Sequence, residues 1–434
     1  MDESYHAVME KQDLSRKNFL QKAQILLKHY RQGDKTVMKE LLQRAKELEP
    51  ELLENRRWLH RHPELGFELK ETCTFVEEKL KAMGYAPQRM SKAGIVATVG
   101  KTGGKTILLR ADMDALPMKE ESGLDFSAAG NAAHTCGHDT HTAMLLAAAK
   151  MLKEREGRLN GCVKLMFQPD EEGTNPLGFS GAQAMLKDGI LENPHVDAVV
   201  SMHIMSQSPY SAGTVYTRRG PMMSSCDTIA ITITGKGTHG SMPQEGVDAL
   251  NVGVHIYSAL QNLTARELAP EEQGVITIGS FNGGEAANVL PEKVCLVGTM
   301  RTTVEATRTR FKKRIEAICA GMAQAFGAKA EVEFTQGIPS VYNDPALTQR
   351  VMDYTSELLG EKVPEMRRPF SGSDDLSELS QAAPTCYLIL SGGTPEEGYP
   401  YPQHNPRVTF NESVLYRGAA VFANAAMEWL RENG

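Results

Sequence analysis

Four short apolar runs in this chain each lead straight into acids or a histidine. Residues 106–110 run into Asp112-Met113-Asp114, residues 163–167 into Asp170-Glu171-Glu172, residues 198–201 into Met202-His203, and residues 386–390 through Gly392-Gly393 to His404. Runs this short and this apolar, bounded by turn residues, read as strands buried on both faces. Helical stretches over residues 140–154 and 182–187 separate the first three. That alternation predicts an α/β domain with a mostly parallel sheet and helices on both faces. In such sheets ligands bind outside the carboxyl ends of the strands, so these polar strand ends predict a single mouth.

A fifth segment belongs with them. His134-Thr135-Cys136-Gly137-His138-Asp139-Thr140-His141 packs three histidines, a thiol and a carboxylate into eight residues, directly before an apolar helical run. Asp139 or Thr140 is expected to cap that helix, leaving Cys136 and His138 in the loop before its first turn. There the unpaired N–H groups and the helix dipole favour a thiolate. A lone C-x-H is weak evidence of a metal site, because short motifs arise by chance. Its weight comes from the four strand ends that converge on the same place.

Between residues 224 and 336 the pattern changes. Residues 228–234 alternate strictly, with Ile229, Ile231 and Ile233 on one face. Helix, two strands, a long helix and a last strand follow, the β-α-β-β-α-β order of a ferredoxin-like unit. The expected organisation is a helical N-terminal extension over 1–45, a catalytic domain in two parts, 46–223 and 337–434, and an inserted α+β domain over 224–336.

Bulk properties narrow the function. The chain has 434 residues, 41% of them hydrophobic, enough for a large core without disulfides. Its net charge of −7 is spread among interspersed acids and bases, which argues against nucleic acid as a partner. No run approaches the roughly 18 apolar residues of a spanning helix, and the first residues lack a basic, apolar leader, so no membrane role is expected. Seven scattered cysteines without a C-x-x-C pair suit a reducing compartment, and a cytoplasmic location is expected.

The mouth offers Cys136, His138, Glu172, His203 and His404 as ligand types, with Asp112, Asp114 and Glu171 as further carboxylates. Thiolate, imidazole and carboxylate together suit zinc, cobalt or manganese. Five ligands exceed the need of one structural ion, and a thiolate can bridge, so two divalent ions are the economical reading. Glu171 and Glu172 point in different directions beyond their strand, so one can bind metal while the other takes a proton from water. His60 and His62 read as structural.

The segments Arg110 to Pro117, His134 to His141, Phe167 to Gly173, His239-Gly240-Ser241-Met242-Pro243, Asn288-Val289-Leu290-Pro291 and His404-Asn405-Pro406 resemble the aminoacylase and carboxypeptidase family of dinuclear metallohydrolases. Within it they resemble most the amidohydrolase branch that includes auxin-conjugate and hippurate hydrolases. The resemblance covers residue 51 to the C-terminus. It implies metal ligation by Cys136, His138, Glu172, His203 and His404, with Cys136 in the bridging place that other branches fill with aspartate. It implies Glu171 as general base and Asp114 as a residue orienting a ligand. Asp112 stands where the family's H-x-D motif has its His, and neither it nor His134 nor His141 receives a role. By the same resemblance His239, on the inserted domain acting as lid and dimerisation module, polarises the scissile carbonyl, while Asn288 and Arg301 bind the substrate carboxylate or oxyanion. Gly392 and Gly393 are expected to approach the substrate closely. The implied activity is hydrolysis of the amide in an N-acyl amino acid by a homodimer. The alternatives are a dipeptidase or carboxypeptidase acting on short peptides, and a non-catalytic ligand-binding protein.

Overall fold

The computed structural model describes residues 38–434. The expected helical extension over 1–45 therefore lies mostly outside the described residues. A helix over residues 38–47 buries Met38, Leu41 and Ala45 against the main core.

The central sheet has seven strands in the spatial order Gln88–Met90, Gly94–Gly100, Cys162–Gln168, Thr106–Asp112, Ala198–Met205, Thr385–Ser391 and Val215–Tyr216. The sheet is mixed. Its four central strands pair parallel, while the edges pair antiparallel. The central strands are buried on both faces, which is why they read as continuous apolar runs. Alternation then sorts their side chains. Ile107 and Leu109 join a core beneath helices Glu49–Arg61, His138–Glu154 and Leu415–Asn433, whereas Leu108, Met166 and Tyr387 join a second core beneath Gly181–Lys187 and Leu376–Ala382.

A second sheet is antiparallel throughout, ordered Gly274–Gly283, Lys293–Thr302, Cys226–Thr234 and Lys329–Ile338. Ile229, Ile231 and Ile233 face helices Ala249–Arg266 and Glu305–Ala325 and form a core of their own with Ile256, Leu260, Phe311 and Ile315. Its last strand runs to Ile338, past the expected boundary at residue 336.

Three local expectations need correction. The helix after the cysteine starts at His138, so this imidazole sits in its first turn rather than in the loop. Neither Asp139 nor Thr140 caps it. The cap position is Gly137 at φ 104°, Thr140 Oγ1 donates to the Gly137 carbonyl, and the Asp139 carboxylate turns inward to Arg56. A side chain on Gly137 would also meet Ile204 at 2.5 Å, so this turn admits only glycine. His203 lies within its strand, not beyond its end.

Gly181 makes a similar close approach at the neighbouring strand end. A Cβ there would lie 1.6 Å from the Pro169 carbonyl oxygen, at the start of the turn bearing Glu171 and Glu172. Gly181→Ala is expected to destabilise the fold by about 1–3 kcal/mol, as overpacking does. An unchanged urea midpoint would show that the turn is not wedged there.

Candidate metal centre

Two sets of three donor atoms meet at one sulfur. Cys136, His138 and His203 form one set and Cys136, Glu172 and His404 the other, each with its atoms within 4.8 Å of one another. Cys136 Sγ lies 3.3 Å from His203 Nε2, and His404 Nε2 lies 3.1 Å from Glu172 Oε1.

The imidazoles are presented in one tautomer by their backbone contacts. His138 Nδ1 is 2.9 Å from the carbonyl oxygen of Asp114, which can only accept, so Nδ1 carries a proton and Nε2 is the nitrogen turned towards the site. That Nε2 is buried and has no hydrogen-bond partner among the described residues. His203 Nδ1 likewise donates to the carbonyl of Ile204, freeing Nε2 towards Cys136. A ring nitrogen fixed in this way is the usual preparation of a histidine ligand.

Asp114 organises the opposite wall. Its two carboxylate oxygens accept the backbone N–H groups of Glu171 and Glu172, at 3.1 Å and 3.2 Å, and Oδ1 also lies 3.3 Å from His138 Nδ1. One buried carboxylate thus sets both the turn and the ring. Glu171 Oε2 stands 3.7 Å from His138 Nε2, close to both donor sets but in neither of the two that share Cys136.

Burial and mutual repulsion dominate the electrostatics. Burial, then Asp374, Glu172 and Asp375, push Glu171 well above the usual carboxylate range. Burial raises Asp375 to about 7, with Asp374 adding to the rise and Arg110 opposing it. Burial, then Glu172, Glu171 and Asp112, push the Cys136 thiol far up, so without added positive charge it is not a thiolate. An acid-rich pocket holding a suppressed thiol and an imidazole nitrogen without a hydrogen-bond partner among the described residues fits divalent cations, which would supply the missing charge.

Sequence reasoning missed the support behind this wall. Arg110, fully buried, reaches Asp112 at 2.8 Å, Gln168 at 2.9 Å, Asp375 at 2.9 Å and Asp374 at 3.3 Å. Asp374 and Asp375 come within 4.8 Å of Glu171. Two features of the sequence pointed to them: an arginine inside a doubly buried strand, and an adjacent acid pair after Ser371-Gly372-Ser373, parallel to Glu171-Glu172 after Pro169. His141 and Asp112, left without roles, bond to each other at 2.6 Å.

The residues expected on the substrate side are placed less directly. His239 is exposed, and among the described contacts none joins it to the donor sets; its Nδ1 accepts the Ser241 N–H at 3.1 Å, which leaves the proton on Nε2. Asn288 is exposed in the segment facing His239, where its carbonyl accepts the Gly240 N–H at 2.7 Å. Arg301 donates to the Ser371 carbonyl at 3.3 Å. Gly392 and Gly393 are buried, and their carbonyls accept the N–H groups of Asn411 and Ser208. A Cβ on Gly393 would strike Tyr399 at 2.0 Å, so packing alone accounts for that glycine.

A sequence profile of peptidase family M20/M25/M40 matches residues 108–428. The chain belongs to that family. Among curated relatives it is 34% identical over 379 residues to thermostable carboxypeptidase 1 of Saccharolobus solfataricus, covering 86% of this chain and 94% of that protein. It is 34% identical over 381 residues to hippurate hydrolase of Campylobacter jejuni, covering 87% and 96%. Among solved structures it superposes on the Bacillus subtilis YXEP protein, described as a dinuclear metal binding peptidase of the M20 family. The TM-score is 0.76 at 29% identity, over 89% of this chain and 99% of that one.

Behind the first turn of the metal-site helix this M20 chain carries a buried ion cluster. Asp139 Oδ2 lies 2.8 Å from Arg56 Nε and 2.8 Å from His60 Nδ1, and His60 Nε2 lies 3.0 Å from Glu120. Burial lowers the His60 pKa, but Asp139 and Glu120 outweigh it and leave the pKa raised. A raised histidine stabilises fully below its unfolded value, near pH 6.5, and the gain is lost as pH rises through the folded value. His60→Leu is expected to cost about 3–5 kcal/mol at pH 6, since it takes the only cation from buried Glu120 among the described contacts and leaves Asp139 with Arg56 alone. The deficit relative to wild type should shrink as pH rises, and urea midpoints showing a pH-independent deficit would refute the charge assignment.

Proposed function

We propose that this chain is a metal-dependent amidohydrolase that cleaves N-acyl amino acids, hippurate-like or related conjugates, to a carboxylic acid and a free amino acid. The observation that carries the reading is the meeting of two donor sets at Cys136 Sγ with Glu171 alongside. Relatives named hippurate hydrolase and thermostable carboxypeptidase support an amide substrate. The second of these keeps the carboxypeptidase or dipeptidase alternative in view.

In this reading Cys136, His138 and His203 would hold one ion, and Cys136, Glu172 and His404 would hold the other. Two divalent ions there, manganese, zinc or cobalt, would supply Lewis acidity to the scissile carbonyl and a more acidic water. Glu171 takes the proton of the attacking water and returns it to the leaving amine. A carboxylate buried among other carboxylates is suited to hold that proton, and Asp114 keeps it aimed through the backbone. His239 presents Nε2–H, the tautomer fixed by Ser241, to the developing oxyanion. Asn288 and Arg301 bind the substrate carboxylate or the oxyanion, with Gly392 and Gly393 in the wall beside them.

The antiparallel domain serves in this proposal as lid and dimerisation module. Leu250, Val254 and Tyr257 form an apolar stripe on its helix, exposed by 36%, 52% and 42%, beside the free edge strand Gly274–Gly283. A second copy of the chain suits such a surface; a fully active monomer in sedimentation equilibrium would contradict this. Seven free cysteines support a reducing, cytoplasmic setting, and among the described residues no helix is long and apolar enough to cross a membrane.

Glu171→Gln should leave metal content unchanged and lower turnover of benzoylglycine by at least about a hundredfold. Unimpaired turnover would remove Glu171 from the mechanism. Run on wild type, a panel of acyl amino acids and dipeptides with free amines decides between the two hydrolase readings: preference for the dipeptides would select the alternative.

A further inference from the structure

We propose that His141 is a positioning residue for one of the two metal positions, the inner one made by Cys136, His138 and His203. This rests on the reading of two donor sets given above. His141 lies close enough to Asp112 and His138 to pass for a ligand, since the three offer atoms within 4.8 Å of one another. Its own bonds exclude that role. Nε2 accepts the backbone N–H of Ile204 at 2.8 Å, and a backbone N–H only donates, so the ring proton is on Nδ1. Nδ1 gives that proton to Asp112 Oδ1 at 2.6 Å. Both nitrogens of a neutral, fully buried imidazole are therefore spent, and no lone pair remains for an ion.

The bond to Ile204 completes a ladder that the backbone leaves unfinished. The strand Ala198–Met205 pairs with Thr106–Asp112 only as far as Arg110 opposite Ser201. On its other side the pairing with Thr385–Ser391 continues to Ser391 opposite Met205. His203 thus sits on a strand end held along one edge and released along the other, and the His141 ring supplies the acceptor that is missing there. The two rings also touch, with centroids 4.5 Å apart at 66°. Asp112 anchors His141 in turn, because its second oxygen is held by Arg110 at 2.8 Å. Among the described residues the outer set has no such link to His141: the His404 N–H goes to the Thr135 carbonyl, and the Glu172 N–H to Asp114.

The inference predicts an effect confined to one ion. Manganese binding to metal-free protein, read by equilibrium dialysis, is compared in two backgrounds. His404→Ala leaves the inner set complete, and His203→Ala leaves the outer set complete. Adding His141→Leu should raise the Kd about tenfold to a hundredfold in the first background, the usual cost of losing a supporting hydrogen bond, and less than about threefold in the second. Equal weakening in both backgrounds, or none in the first, overturns the proposal. If the leucine variant does not fold, His141→Phe, which fills the space of the ring but has neither hydrogen-bonding nitrogen, carries the same comparison, and the same asymmetry is required of it. Wild type binding fewer than two manganese ions would instead defeat the two-ion reading itself.

Discussion

The guanidinium of Arg110 is the contact on which the mouth of this protein depends. It is buried in the middle of the central sheet and faces Asp112, Gln168, Asp374 and Asp375, residues contributed by three separate parts of the chain. Without it, carboxylates at the ends of neighbouring strands would repel one another in a medium that screens poorly. With it, they form a rigid acidic shell, and Glu171 is packed against that shell. The charge left uncompensated is negative, and it lies on the side where Cys136 and the histidines present free donor atoms. The same arrangement therefore both holds the strands together and calls for cations.

Rigidity is not shared evenly across the site. His138 and His203 are buried and each is fixed through its second ring nitrogen. His404 sits on a loop at φ 63° with its side chain 53% exposed, and Glu172 hangs from the turn that Asp114 clamps. One half of the centre is built on a helix start and a central strand, while the other closes over it from loops. This places the open side next to solvent, where substrate must enter and product must leave.

Much of this was legible in the sequence because strand ends are where the chain stops being apolar. Continuous runs such as residues 106–110 announced strands buried on both faces, and the polar residues after them announced a mouth. What escaped was of two kinds. Asp374, Asp375 and Arg110 carry their weight through contacts between distant segments, which spacing cannot reveal. The start of the metal-site helix was misjudged because Asp139 resembles a capping residue, whereas tertiary pairing with Arg56 and His60 turns its carboxylate inward. There the cap is left to Gly137, for which packing against Ile204 leaves no alternative.

The central claim is that two ions share the sulfur of Cys136. Anomalous diffraction from crystals grown with zinc would test it most directly. The account predicts two peaks, both at about 2.3 Å from Cys136 Sγ, one completed by His138 and His203 and the other by Glu172 and His404. A single peak, or two peaks with Cys136 bound to neither or only one, would contradict it.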